Sequence, residues 1–289
     1  MPRRRRWPLV VSFLTALVLG LSLPVGRGEP AYADPFAHLG YGMMLAWPGH
    51  LDRVTAAGFD WYKYFLYWYK IQPTETGGYD WAWLDWRLQE TATSGLNLIL
   101  RVEGPPDWAR AWDHDWAPVA HDKMAAWRDF FRATAEYIAA WQADHGTSFR
   151  VALEVWNEPN LSFQWGDRAV DPAWYTEMVR YAYEGAKAGD PHILLVAGNL
   201  APTGGTPDGM AMNDVDYLEA MYDAGLAGHF DAVSIHNYGF GGPPEDKEWG
   251  SGILNFRRAE DIRAVLVAHG DDDKPVWGTE FGWLLDASY

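Results

Sequence analysis

The chain has no cysteine, which excludes disulfides and thiolate metal sites and leaves stability to packing. Its nine histidines contain no His-x-x-x-His or His-Glu-x-x-His pair, so no zinc hydrolase motif is present. Gly-x-Ser-x-Gly nucleophile elbows and glycine-rich phosphate loops are also missing. No metal and no cofactor are therefore expected. Basic residues are scarce, 23 against 39 acidic ones. Long apolar runs are scarce as well. The one extended stretch, residues 7–23, is interrupted by Pro8, Ser12, Thr15 and Ser22 and stops at Pro24, short of the roughly 20 residues a membrane span requires.

That stretch follows four arginines, Arg3 to Arg6, and precedes the small-residue site Ala31-Tyr32-Ala33. The pattern is that of a secretory signal peptide cleaved after Ala33, with no cysteine nearby to carry a lipid. The flanks of the arginines match a twin-arginine signal poorly. Residues 1–33 are thus read as a signal and 34–289 as the exported protein, with no membrane attachment after cleavage. Cleavage removes five arginines and one glutamate, leaving 18 basic and 38 acidic residues and a net charge of −20. So acidic a surface repels nucleic acid and anionic membranes and suits a neutral ligand such as a carbohydrate. Seventeen tryptophans follow Ala33, and aromatic faces are what sugar rings stack against, although most tryptophans pack in cores.

Strand-like runs at 40–47, 61–67, 96–102, 149–156, 193–197, 232–236 and 275–279 alternate with helical patterns. Met124, Trp127, Phe131, Ile138 and Trp141 keep a three-four spacing, as do Trp174, Met178, Tyr181 and Gly185. Regular alternation of this kind predicts an α/β fold with a parallel sheet, and no linker or repeat divides it. With candidate functional residues gathering after the strands, the architecture expected is a (β/α)8 TIM barrel. Only nine residues follow Glu280, too few for helix 7, strand 8 and helix 8. The chain is expected to be a fragment truncated after strand 7, whose open edges favour association. The oligomeric state is not legible.

Two of these runs end in a carboxylic acid. Val151 to Val155 leads into Trp156-Asn157-Glu158-Pro159, and Pro275-Val276-Trp277-Gly278-Thr279 leads into Glu280, 122 positions later. Paired carboxylates at strand ends suit glycosidic bond cleavage. One protonates the leaving oxygen; in retaining enzymes the other attacks the anomeric carbon from the opposite side. Either glutamate alone is as easily a solvated strand end. As a pair in matching contexts, they point to Glu158 as acid/base and Glu280 as nucleophile.

Val155-Trp156-Asn157-Glu158-Pro159-Asn160 and Trp277-Gly278-Thr279-Glu280-Phe281-Gly282-Trp283 resemble the strand-four and strand-seven motifs of a large clan of retaining (β/α)8 glycoside hydrolases, which includes the family 5 cellulases and the family 39 enzymes. Counting strands from the amino end places the two glutamates after the fourth and seventh, in agreement with the motifs. The resemblance implies acid/base and nucleophile roles for Glu158 and Glu280 and a sugar 2-hydroxyl contact for Asn157. Ser234-Ile235-His236-Asn237-Tyr238 is similar to the clan's His-x-Tyr, which implies that His236 lines the site and that Tyr238 hydrogen-bonds Glu280. The pattern departs on strands two and three, where Lys63 and Arg101 stand in place of the clan's arginine and histidine. Arg101 and Glu154 are expected to pair inside the barrel. Trp165 and Trp283, nearest the glutamates in sequence, are the expected sugar-stacking residues among several tryptophans that follow strands. The reading is a secreted retaining glycosidase acting on β-linked sugar chains; its rivals are a carbohydrate-binding protein without turnover and a transglycosylase.

Overall fold

A computed structural model describes residues 40–44 and 49–284. The signal-peptide expectation and part of the first predicted strand lie outside the described residues. Seven strands, β1 (Gly42–Met44), β2 (Trp61–Tyr67), β3 (Asn97–Glu103), β4 (Val151–Val155), β5 (Leu194–Leu200), β6 (Ala232–His236) and β7 (Val276–Glu280), form one parallel sheet in sequence order. Between them run helices α1 (Leu51–Ala56), α2 (Trp68–Ile71), α3 (Ala82–Ser94), α4 (Met124–His145), α5 (Pro172–Gly189), α6 (Asp214–Asp223) and α7 (Ala259–Ala268). The sheet curls into a nearly closed barrel of the (β/α)8 type. Every strand pairs in parallel with the next, and among the described residues β1 and β7 are its edges.

The pleat divides the buried side chains into two sets. On the outer face, Leu98, Leu100, Val102, Leu153, Val155, Leu195, Val233 and Ile235 meet the helices in one large apolar cluster. There α4 contributes Trp127, Phe130, Phe131, Ile138 and Trp141, largely the residues whose spacing predicts the helix. It packs against α5 so closely that a Cβ on Gly185 would lie 2.1 Å from the carbonyl oxygen of Arg128, so only glycine fits. Asp171 caps α5, accepting from the Trp174 amide at 2.9 Å, with Pro172 in the first turn. On the inner face, Ile99, Ala152, Leu194, Val196 and Ala232 form a small apolar floor with Trp61 and Trp277. Above that floor the barrel is filled by charged side chains.

Burial follows position in the sheet. Strands β4, β5 and β6 are buried throughout, β7 is half-buried and β1 is exposed. The predicted strand 193–197 continues through Gly198 and Asn199 to Leu200, and the chain forms a bulge in the sheet there.

Candidate active site

The carboxyl ends of β4, β6 and β7 converge. His236 and Glu280 are the last residues of β6 and β7, and Glu158 lies in the turn after β4. That turn is strained: Trp156 and Glu158 have φ of 65° and 39°, left-handed values that cost energy in residues with a Cβ. Local contacts over-determine it. The Trp156 ring is buried among core residues and its indole N–H donates to the Gln164 carbonyl at 2.7 Å. The Trp156 amide donates to Val102 and the Glu158 amide to Asn199.

One imidazole lies between the two carboxylates. His236 Nδ1 is 2.8 Å from Glu158 Oε1, and its Nε2 is 3.5 Å from Glu280 Oε1. Both carboxylates therefore contact one ring, the proximity that a pair acting on a single glycosidic bond needs. Glu280 is held from three further sides: Tyr238 donates to Oε2 at 2.9 Å, while Arg101 approaches Oε1 at 3.0 Å and Lys63 at 3.5 Å. Tyr238 reaches Glu280 from the turn after β6, where its amide bonds the His236 carbonyl at 3.0 Å.

These partners decide the charge on Glu280. Burial pushes its carboxyl upward, but His236, Lys63, Arg101 and the Tyr238 hydroxyl more than offset this, and the group is held below the ordinary glutamate value. Tyr238 moves the other way: burial, then the Glu280 charge, raises its phenol and keeps it a hydrogen-bond donor. An ionised carboxylate that accepts several charge-assisted bonds is what a nucleophile at this place needs.

The expected pairing of Arg101 with Glu154 is corrected by the structure. Their backbones are in register, as anticipated, yet Glu154 takes Lys63 as partner at 2.6 Å. Arg101 instead turns to Glu103, two residues on along the same face of β3, at 3.0 Å. Its remaining amino group then spans Asn157 Oδ1 at 2.6 Å and Glu280. Burial raises the Glu103 carboxyl despite Arg101, whereas at Glu154 the same burial is outweighed by Lys63 and His236. Lys63 and Arg101, the two departures from the clan pattern, are thus both in contact with Glu280.

The tryptophans divide. Trp165 is only 1% exposed and packs edge-on against Trp156, Trp174 and Tyr175, so the expectation that it stacks against sugar is corrected: its faces are covered by core aromatics. Trp283 is 39% exposed, lies beside Phe256 at 4.8 Å between centroids and donates to the Gly242 carbonyl. Asn157 is buried at the site with its oxygen engaged by Arg101. Asn199 and Glu103, both buried beside these residues, do not figure in the sequence reading. Alternation along β5 hides Asn199, and nothing local distinguishes Glu103 from an ordinary strand-end acid.

No protein-family model and no curated protein matches the sequence. Solved structures do. A family 39 glycoside hydrolase from the gut symbiont Bacteroides cellulosilyticus WH2 superposes with a TM-score of 0.61 at 18% identity, over 84% of this chain and 48% of that one. A monomeric beta-xylosidase from Caulobacter crescentus CB15 gives 0.60 at 20% identity, over 86% and 52%. The endoglucanase Cel5A from the hyperthermophilic Thermotoga maritima gives 0.51 at 14% identity, over 80% and 70%. This chain spans about half the length of the first two. With its seven parallel strands in order and two glutamates at the ends of β4 and β7, it has the fold of the (β/α)8 glycoside hydrolases of families 39 and 5.

Proposed function

We propose that this protein is an exported retaining glycosidase that cleaves β-linked oligo- or polysaccharides by double displacement. The observation that carries the reading is the placement of Glu158 and Glu280 on opposite nitrogens of His236. Glu158 protonates the leaving oxygen while Glu280 attacks the anomeric carbon. Water then hydrolyses the glycosyl-Glu280 ester, with Glu158 taking the proton from the water. Arg101, Lys63 and Tyr238 favour the anionic nucleophile, and Asn157, oriented by Arg101, is placed for a sugar hydroxyl. Export rests on the pattern of residues 1–33, and a β-linked carbohydrate substrate on the fold relatives. Trp283 remains the candidate for stacking.

Aryl β-glycosides provide the test. Wild-type protein is expected to hydrolyse one or more of them, and Glu280→Ala to abolish turnover while the fold and binding of sugar chains persist. Equal activity in Glu280→Ala contradicts the mechanism. Sugar binding by a wild type that does not turn over favours a binding protein of the same fold, and oligosaccharide products longer than the substrate favour transglycosylation.

A further inference from the structure

Asn199 occupies the centre of the site from a strand that contributes none of the residues discussed so far as catalytic. Leu194 and Val196 on β5 face the barrel interior, so unbroken alternation places Asn199 on the outer face. The pairing with β6 is interrupted there. Gly198 pairs with Ser234 and Leu200 with Ile235, leaving Asn199 as an extra residue. Gly198 and Asn199 have φ of 100° and 56°, and a Cβ on Gly198 would meet the Ser234 carbonyl oxygen at 2.6 Å. This bulge turns the Asn199 side chain inward, where it is fully buried.

Each polar group of Asn199 is engaged by a residue of the site. Its amide donates to Ser234 Oγ at 2.9 Å, and its carbonyl accepts the Glu158 amide at 3.0 Å. Its Nδ2 donates to the Trp156 carbonyl. Its Oδ1 accepts from His236 Nε2 at 2.6 Å, Thr279 Oγ1 at 3.3 Å and Lys63 Nζ at 3.5 Å. The orientation of the amide is fixed from both ends, because the Trp156 carbonyl can only accept and the Lys63 ammonium can only donate. A neutral His236 must therefore carry its proton on Nε2 and present the lone pair of Nδ1 to Glu158.

We propose that Asn199 is a positioning residue: it sets the tautomer of His236 and clamps the left-handed turn that carries Glu158, so that Glu158 and Nδ1 hold one proton between them. The functional meaning of that proton rests on the acid/base role proposed for Glu158. The charged and titratable groups around His236 are Glu158 after β4, Glu154 on β4, Glu280 on β7 and Tyr238 after β6, with Lys63 on β2 reaching the same Asn199 oxygen. Substitution of Asn199 removes none of these five groups.

The full chain labelled with 15N-histidine, with H236Q to assign the resonance, gives the direct test by imidazole 1H–15N correlation. Wild type is expected to show the Nε2–H tautomer. N199A is expected to move the proton to Nδ1, where Glu158 is within hydrogen-bond reach at 2.8 Å while Glu280 lies 3.5 Å from Nε2, and to shift the basic limb of kcat/KM. Its kcat should fall roughly 10- to 100-fold, less than the roughly 10²- to 10⁴-fold contributed by the general acid itself, with a smaller change in KM. N199D keeps an acceptor for Nε2 but loses the donor to Trp156. It is expected to retain the tautomer while kcat falls, and it serves if N199A does not fold. Persistence of Nε2–H in N199A, or an Nδ1–H tautomer in N199D, overturns the proposal. The spectrum needs no turnover, so an inactive wild type counts against the glycosidase reading and leaves the role of Asn199 to be decided by the tautomer.

Discussion

The two faces of the sheet are built from different materials. Outside, between strands and helices, the interior is apolar and aromatic, and α4 alone buries Trp127, Phe130, Phe131, Ile138 and Trp141. Inside, the apolar floor is small, and above it lie Lys63, Arg101, Glu103, Glu154 and His236, all buried. Apolar burial stabilises in proportion to area, whereas buried ion pairs return little more than their desolvation costs. The outer layer therefore holds the fold, and the inner one, freed from that task, carries the residues proposed for catalysis. Strain follows the same division at the ends of β4 and β5: Trp156, Glu158 and Asn199 have positive φ, as expected where the surrounding structure imposes a working geometry.

The largest expected effect separates the faces most sharply. Glu158→Gln should lower kcat/KM roughly 10²- to 10⁴-fold on substrates with poor leaving groups while the thermal midpoint stays near that of wild type. A collapse in midpoint would show that the inner face also carries the fold. The converse is Trp127→Ala, which opens a cavity between sheet and helices. It should cost about 3–5 kcal/mol in denaturant unfolding, with kcat unchanged in the fraction that remains folded.

Lys63→Met probes the boundary between the two behaviours. It strands the fully buried Glu154, for which a loss of roughly 3–5 kcal/mol is expected. The double change Lys63→Met with Glu154→Leu should recover much of that stability without recovering activity, because Lys63 also faces Glu280. Recovery of both would make the pair purely structural.

A smaller effect concerns pH. Because Glu280 is held below its ordinary value, its ionised form persists to lower pH than in an unfolded chain. Its contribution to stability is then present above the unfolded value of about 4.3 and lost as pH falls through the depressed one. The acidic limb of kcat/KM should lie below about 4.3, and Arg101→Met should move it upward. A limb that does not respond would remove Arg101 from the account of the nucleophile.

The contrast between the faces also explains what the sequence made legible. Outer-face residues repeat with the period of their element, so the strands and the buried faces of α4 and α5 follow from spacing. Glu158 and Glu280 stand out because each closes an apolar run in the same way. Partner choice inside the barrel has no such signature: Arg101 is in register with Glu154 but bonds Glu103 and Glu280, a matter of ångströms and side-chain length. Asn199 is concealed for another reason, since a bulge reverses the alternation on which face assignments depend. Trp165 shows the limit of proximity in sequence, because seven residues beyond Glu158 the chain has already turned back into the aromatic core.

The most direct test of the central claim, that Glu158 and Glu280 flank a single anomeric carbon, is trapping with an activated 2-deoxy-2-fluoro β-glycoside of a sugar the protein hydrolyses, followed by peptide mass spectrometry. One glycosyl adduct is expected, on the peptide containing Glu280, absent from Glu280→Ala. An adduct on another carboxylate, or turnover of the parent glycoside with inversion at the anomeric centre and no adduct, would contradict it.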